Sequence, residues 1–445
     1  MKKYQEYKDS GIEWIGEIPK HWERSRLKHI VSIKITDGPH ETPTFYEQGI
    51  PFLSAEAINI NKLDFDKIRG YISAEQCEIY NKKCKVKKND ILFCKSGSTT
   101  GKSALVETDT EFAIWSPLAI IRARKEQFHY NYVFYAIQSL SFRTQVEIFW
   151  SFGTQPNIGM NVLENLWIPV PPFEIQIDIA NFLRKKISLI DSAIQKKQQM
   201  IELLKEERAA IINQAVTKGI NPDAEMKDSG IEWLGEVPRH WYCGKLGHNI
   251  SVKARLGWKG LTASEYVEKG YGFLATPNIK TDEIDFVNIN YITKERYEES
   301  PEIMLQIGDV LLAKDGSTLG IVNIVKKLPF ECTVNSSIAV LRPLNTNIYS
   351  PFLKYFMQSH FVQNIIQMIK GGMGVPHLFQ ADIVKFDILI PPYEEQVEVT
   401  EYIDSEIMKI KKLIHLAEKE IALIEEYRIA LINEAVTGKI DVRNV

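Results

Sequence analysis

The string KDSGIEWIGEIPKHW at residues 8–22 reappears as KDSGIEWLGEVPRHW at residues 227–241, 219 positions later. The three differences, Ile15/Leu234, Ile18/Val237 and Lys20/Arg239, are conservative. Chance does not produce such a match. The chain is an internal duplication, and any fold open to one half must be open to the other. Trp14, Pro19, Trp22 and their counterparts predict a turn packed on apolar surface, a structural rather than a chemical role.

Each half ends in an uninterrupted helical run. Residues 173–216 contain neither Gly nor Pro, and Leu183, Ile187, Ile190, Ile194, Lys197, Ile201, Leu204, Arg208, Ile211 and Ala215 alternate at spacings of four and three. A mean spacing of about 3.5 over roughly four heptads marks a coiled-coil seam. The ladder recurs 220 positions on, from Ile403 and Ile407 through Arg428 to Leu431 and Ala435. Two matched helices in one chain predict an antiparallel pair with a pseudo-two-fold axis. That arrangement keeps the halves equivalent and puts the chain start beside the end of the second helix. Arg208 and Arg428 are expected to snorkel or to pair with Glu across the helices.

Between motif and helix each half has a mixed pattern. Residues 49–58, 90–95 and 115–122 read as strands, and 131–148 as one helix with Tyr135, Leu140 and Phe142 inward. Residues 270–279, 309–314, 335–342 and 351–369 answer them in the second half. Each globule closes with an apolar strand running into Pro-Pro, at residues 167–174 and 388–394. The prolines end the strand and pre-set the first helical turn, where Glu174 and Glu394 favour the exposed amides. The expected fold class is α+β: two tandem globules separated and joined by two long helices forming an antiparallel coiled coil. The boundaries read as an N-terminal segment at 1–22, a first globule at 23–166 and a helical spacer at 167–222. The repeated segment follows at 223–242, the second globule at 243–386 and the second spacer at 387–445.

A chain of 445 residues exceeds one core. Net charge of −3 excludes a uniformly basic protein but leaves room for a local basic face. No apolar run is long enough to cross a bilayer, and the opening MKKYQEYKDSG lacks a signal peptide's apolar segment. The five cysteines are odd in number and never spaced CxxC, which favours a reduced, cytoplasmic setting without structural zinc.

Three stretches invite an enzymatic reading. In SGSTTGKS (96–103) only three residues separate Gly97 from Gly101, one short of a phosphate loop, and the duplicate DGSTLGIV (315–322) has no lysine. The Pro-Pro-aromatic tripeptide of amino-methyltransferases needs a side-chain oxygen before it, whereas Val170 and Ile390 stand here. His21, His40, His240 and His377 show no metal-ligand spacing. The better reading is contact with nucleic acid. Lys95, Ser98, Thr99 and Lys102, with Lys314, Ser317 and Thr318 in the duplicate, form polar turns suited to a backbone phosphate. Thr154, Gln155 and Asn157, with Gly374 and His377, lie in glycine-rich loops before the closing strands; Gln155, Asn157 and His377 are able to read base edges. Residues 82–88 hold five lysines in seven, either a phosphate-binding edge or a solvated turn.

The duplicated SGIEW-x-GE-x-P-x-HW opening, the turns KSGSTTGK and KDGSTLGI, the PP[FY]E-x-Q junctions and the helices ending INQAVTKG and INEAVTGK closely resemble the specificity subunit of type I restriction-modification enzymes. The resemblance spans essentially the whole chain. It implies two target recognition domains, each reading half of a split site on double-stranded DNA, joined by helical spacers. It further implies assembly with two modification subunits that methylate adenine from S-adenosylmethionine, and with restriction subunits using ATP and Mg. The chain itself would have no catalysis and no cofactor. The helical run of 44 residues, about 66 Å at ~1.5 Å per residue, would set the distance between half-sites. The rival from another class is a coiled-coil scaffold that binds protein rather than DNA.

Overall fold

The computed structural model describes residues 2–59, 62–152, 155–231, 233–255, 261–370 and 377–443. The chain divides into two compact units, one of residues 1–197 with 418–445 and the other of residues 198–417. Each unit combines one globule with part of each long helix.

In the first unit a four-stranded antiparallel sheet runs in the order Ser103–Leu105, Ile91–Cys94, Leu118–Ile121, Thr36–Asp37. The Ile91–Cys94 strand is buried on both faces, which is why its sequence is continuously apolar rather than alternating. Ile91 and Phe93 face the core shared with the helices, while Leu92 and Cys94 face a second core. That second core is backed by a three-stranded sheet, Ala113–Ile114, Ile50–Leu53, Gly70–Ile72, whose first pair is parallel. The second unit repeats the plan. Its four strands are Ile250–Lys253, Ile338–Pro343, Val310–Ala313 and Val322–Ile324, and its three are Asn290–Ile292, Tyr271–Leu274 and Cys332–Val334. In each unit the closing strand pairs with the strand after the duplicated motif, Trp167–Val170 with Glu23–Arg26 and Asp387–Ile390 with Tyr242–Lys245.

Residues 131–148 are not one helix. Tyr130–Gln138 and Leu140–Phe149 meet at Ser139, whose extended backbone breaks the run and whose hydroxyl accepts from the Phe142 amide at 3.3 Å. Tyr135 and Phe142 are buried as expected, but Leu140, now at the start of a new helix, is 51% exposed. The same break recurs at Ser359 between Ser350–Gln358 and His360–Lys370.

The long helices span Phe173–Lys218 and Tyr393–Val436. Their starts are fixed by Gln176 and Gln396, both buried. Gln176 accepts from the His129 amide at 2.9 Å and donates to the Pro171 carbonyl at 3.0 Å; Gln396 does the same with Tyr349 and Pro391, both at 2.8 Å. In the first unit Arg428 reaches Asp191 at 3.4 Å and Lys197 pairs with Glu420, so numbering rises along one helix as it falls along the other. In the second unit Ile212, Ala215 and Val216 share a core with Val399, Ile403 and Ile407. The helices are antiparallel within each unit. Ile211 is only half-buried while Ile212 is buried, the drift expected when a 3.6-residue helix is read against a 3.5-residue ladder. Arg428 pairs across the helices with an aspartate rather than a glutamate. Arg208 departs from expectation further: it turns to Asp282 of the second globule at 3.1 Å, which Lys411 also meets at 2.8 Å.

The duplicated motif forms a hairpin, Tyr7–Asp9 with Glu17–Pro19 and Met226–Asp228 with Glu236–Pro238. Two residues past the second long helix, Gly438 takes the left-handed region, where a Cβ would lie 2.4 Å from Pro19 and 3.1 Å from Trp22. Tyr7 Oη donates to the Gly438 carbonyl at 3.0 Å, so the chain start does lie beside the end of the second helix. Gly219 meets Trp241 and Pro238 in the same way. The motif's other tryptophans differ from expectation. Trp14 is half-buried, edge-on to Phe149, whereas Trp233 is 78% exposed. Among the described residues no helix is long and apolar enough to cross a membrane.

Candidate nucleic-acid interface

In each unit the central strand of the four-stranded sheet delivers a lysine and then a glycine turn to one edge of the globule. After Ile91–Cys94 the turn closes by Thr100 N donating to Gly97 O at 3.1 Å and Gly101 N to Cys94 O at 2.9 Å. Gly97 and Gly101 take φ of 95° and 92°, which the tight return requires. The loop before the closing strand is stitched onto this turn. Gly97 N donates to Pro156 O at 3.0 Å, Ile158 N to Lys95 O at 2.8 Å, and Thr100 Oγ1 to Pro156 O at 3.1 Å. The two groups of residues singled out in the sequence thus form one surface. The second unit builds the same junction: Gly320 N donates to Ala313 O and Leu378 N to Lys314 O, both at 2.9 Å, and Asp315 bridges to His377.

On the first surface Ser98, Lys102, Gln155 and Asn157 are exposed, and Thr99 is half-buried against the Cys94 thiol. On the second, Ser317 is exposed and Thr318 half-buried, donating to the Asp315 carbonyl at 3.3 Å. Thr154 and Gly374 lie outside the described residues. The two lysines at the turn roots are held inward. Lys95 is 12% exposed and lies 3.3 Å from Asp37. Lys314 is buried; its ammonium donates to His377 Nε2 at 3.4 Å, while His377 Nδ1 pairs with Asp315. Burial pushes the Lys314 ammonium below its ordinary range, and Asp315 only partly restores it.

Sequence reasoning missed the group that organises the first surface. Asp37, 1% exposed, is surrounded by Lys83 at 2.8 Å, His40 at 3.1 Å and Lys95. Burial alone would raise this carboxyl, but the Lys83 and Lys95 ammoniums outweigh it and hold it below the usual carboxylate range. The signal was a strand ending in Asp-Gly-Pro-His. Gly38 is required there because a Cβ would lie 2.0 Å from the Ile114 carbonyl oxygen. The surface offers hydrogen-bond donors and acceptors with cations behind them. Its one thiol, Cys94, is pushed up to about 11 by burial, which suits packing and not nucleophilic attack.

A family profile described as "Type I restriction modification DNA specificity domain" matches residues 19–203 and 263–426. The putative type I restriction enzyme MjaX specificity subunit of Methanocaldococcus jannaschii is 28% identical over 437 residues, covering 96% of both chains. The MjaVIII specificity subunit of the same organism is 25% identical over 435 residues, covering 96% of this chain and 95% of that one. Among solved structures, a chain described under "complex assembly and conformational transition of the type I R-M system" has a TM-score of 0.71 at 17% identity, covering 95% of this chain and 99% of that one. The HsdS subunit of Thermoanaerobacter tengcongensis has a TM-score of 0.50 at 16% identity, covering 95% and 98%. At these identities the structural likeness speaks for the fold.

Proposed function

Because the chain belongs to the family of type I restriction-modification DNA specificity proteins, we propose that it is the DNA-recognition subunit of such an enzyme, each unit reading one half of a split duplex site. The observation that carries this is the junction of glycine turn and pre-strand loop, built twice in one chain on the same sheet position. A reader needs exposed side chains of mixed donor and acceptor character on a rigid edge. Gln155 and Asn157 read bases in the first half-site and His377 in the second. Ser98, Thr99, Lys102, Ser317 and Thr318 meet phosphates, and Lys95 and Lys314 stiffen the turns from below.

The chain recognises and does not catalyse. Val170 and Ile390, before the Pro-Pro pairs, are strand residues paired with Glu23 and Tyr242, which supports a structural role for a tripeptide that elsewhere holds a target amine. Methyl transfer from S-adenosylmethionine then belongs to two modification subunits, and ATP- and Mg-dependent cleavage to restriction subunits, in the cytoplasm. Residues 23–166 and 243–386 act as the recognition domains, with 1–22, 167–222, 223–242 and 387–445 forming the common frame the partners grip. The family match favours this over a DNA-independent scaffold. The test is methyl transfer to duplex with S-adenosylmethionine. The purified chain is expected to be inactive alone and to direct adenine methylation to a bipartite site once modification subunits are added; methylation by the chain alone would overturn the assignment.

A further inference from the structure

The duplication supplies an internal control for the five lysines at residues 82–88. In the first unit Arg122 donates twice to Asp90, at 2.6 and 2.7 Å, and once to the Lys85 carbonyl at 2.8 Å. Asp90 also accepts from the Lys87 amide at 2.7 Å. In the second unit Arg342 makes the same bonds to Asp309, both at 2.7 Å, and to the Met304 carbonyl at 3.0 Å, while Asp309 accepts from the Gln306 amide at 2.7 Å. The frame is shared atom for atom. Its surface is not: where the first unit has Lys82, Lys83, Lys85, Lys87 and Lys88, the second has Pro301, Glu302, Met304, Gln306 and Ile307. The second unit makes this frame without the lysines, so folding does not require them. Clustering like charges also costs stability, which calls for another role.

In the first unit Lys83, Lys85 and Lys87 of this run line a groove of 570 Å³, with Lys34, Arg122, Thr36 and Asn81 also on its walls. No carboxylate lines it among the described residues. Lys83 is matched by Asp37 and Arg122 by Asp90. Lys34, Lys85 and Lys87 are exposed and have no ion pair among the described residues, leaving three uncompensated charges. The groove is continuous with the recognition surface. Lys83 shares Asp37 with Lys95 at the root of the glycine turn, and Met160 in its wall follows the 155–159 loop.

We propose that this groove carries the sugar-phosphate backbone of the DNA flanking the first half-site, and that the second unit has no equivalent. The two units therefore hold DNA unequally: the first through an electrostatic track as well as base contacts, the second with Glu302, Met304 and Gln306 in place of Lys83, Lys85 and Lys87. The proposal rests on the DNA-recognition reading above.

The test is the salt dependence of binding, using the full chain and a labelled duplex of unrelated sequence across a KCl series. Each neutralised phosphate contributes about 0.9 to the slope of log K against log[salt]. Lys34→Ala, Lys85→Ala and Lys87→Ala together should lower the slope by about 2.7, so that a fourfold rise in salt weakens the wild type roughly 40-fold more than the variant. The preference for bases in either half-site should not change. All three side chains are exposed, and Lys→Gln versions keep the stems if an alanine lowers the unfolding midpoint. A wild type that binds duplex and a triple variant with an unchanged slope would overturn the groove alone. A wild type that binds no duplex at any salt would overturn the DNA-recognition reading, and the groove with it.

Discussion

Replacing Asp37 by Asn keeps the shape of the buried side chain and removes its charge. Two ammoniums and the His40 imidazole face it, but they are not equally exposed: the Lys83 side chain is 53% exposed, His40 69% and Lys95 12%. Lys83 and His40 can return to water, and such exposed pairs are worth about 0–1 kcal/mol each. Lys95 cannot, and an uncompensated buried charge costs about 3–5 kcal/mol. Discounting for the 12% that water still reaches, the variant should lose about 3 kcal/mol. The pH dependence has a fixed sign. The carboxyl is held below its ordinary value, so its contribution is complete above the unfolded value of about 3.9 and is lost as pH falls through the folded one. Wild type and variant should differ fully at pH 7, and the difference should shrink only as pH falls from the unfolded value through the lower folded one. Two units need not unfold together, so urea unfolding is best followed by amide exchange in the Leu118–Ile121 strand, which pairs with Thr36–Asp37. Adding Lys95→Met should restore much of the loss, because the stranded charge goes with it. A loss under about 1 kcal/mol, or a double variant no better than the single, would refute the reasoning.

Gln176→Ala should destabilise the first unit by roughly 2–3 kcal/mol, since the His129 amide and the Pro171 carbonyl lose their partner where the long helix begins; urea unfolding measures it. Lys354 is 9% exposed and burial pushes its ammonium down to about 8, so the unfolded chain binds more protons between about pH 8 and 10.5 and stability rises with pH through that window. Lys354→Met should therefore be more stable at pH 7, by about 1–3 kcal/mol, with the advantage shrinking towards pH 10.5; a variant less stable at pH 7 would contradict this. Gln155→Ala or Asn157→Ala should relax base preference in one half-site at about 1–3 kcal/mol while leaving the salt slope intact, as competition binding with altered duplexes would read.

The long-range plan of this molecule was legible because it is written in local periodicity and in repetition. The duplicated motif, the 220-residue ladder shift and the apolar strands at 91–94 and 310–313 each carry their meaning within a short window. The break at Ser139 was also written locally, since a serine three residues before Phe142 is an N-cap signal, but the apolar spacing across it masked it. The Asp37 cluster was not legible. Asp37 and His40 are near in sequence, but Lys83 comes from the helix Ala74–Cys84 and Lys95 from the end of the Ile91–Cys94 strand, and only the tertiary fold brings these two to the carboxylate. Lys95 looked like a surface phosphate contact because nothing nearby in sequence shows that a buried carboxylate draws it inward. Arg208 likewise finds Asp282, 74 residues away, in place of a neighbour on the facing helix.

Mapping methylated adenines in the genome of a host that carries the chain with its partner subunits tests the central claim most directly. The chain would have residues 23–166 exchanged for the corresponding segment of a relative with a different first half-site. Two independent readers predict a new sequence in one half of the methylated site and an unchanged sequence in the other. A change in both halves, or in neither with the enzyme still active, would contradict the account.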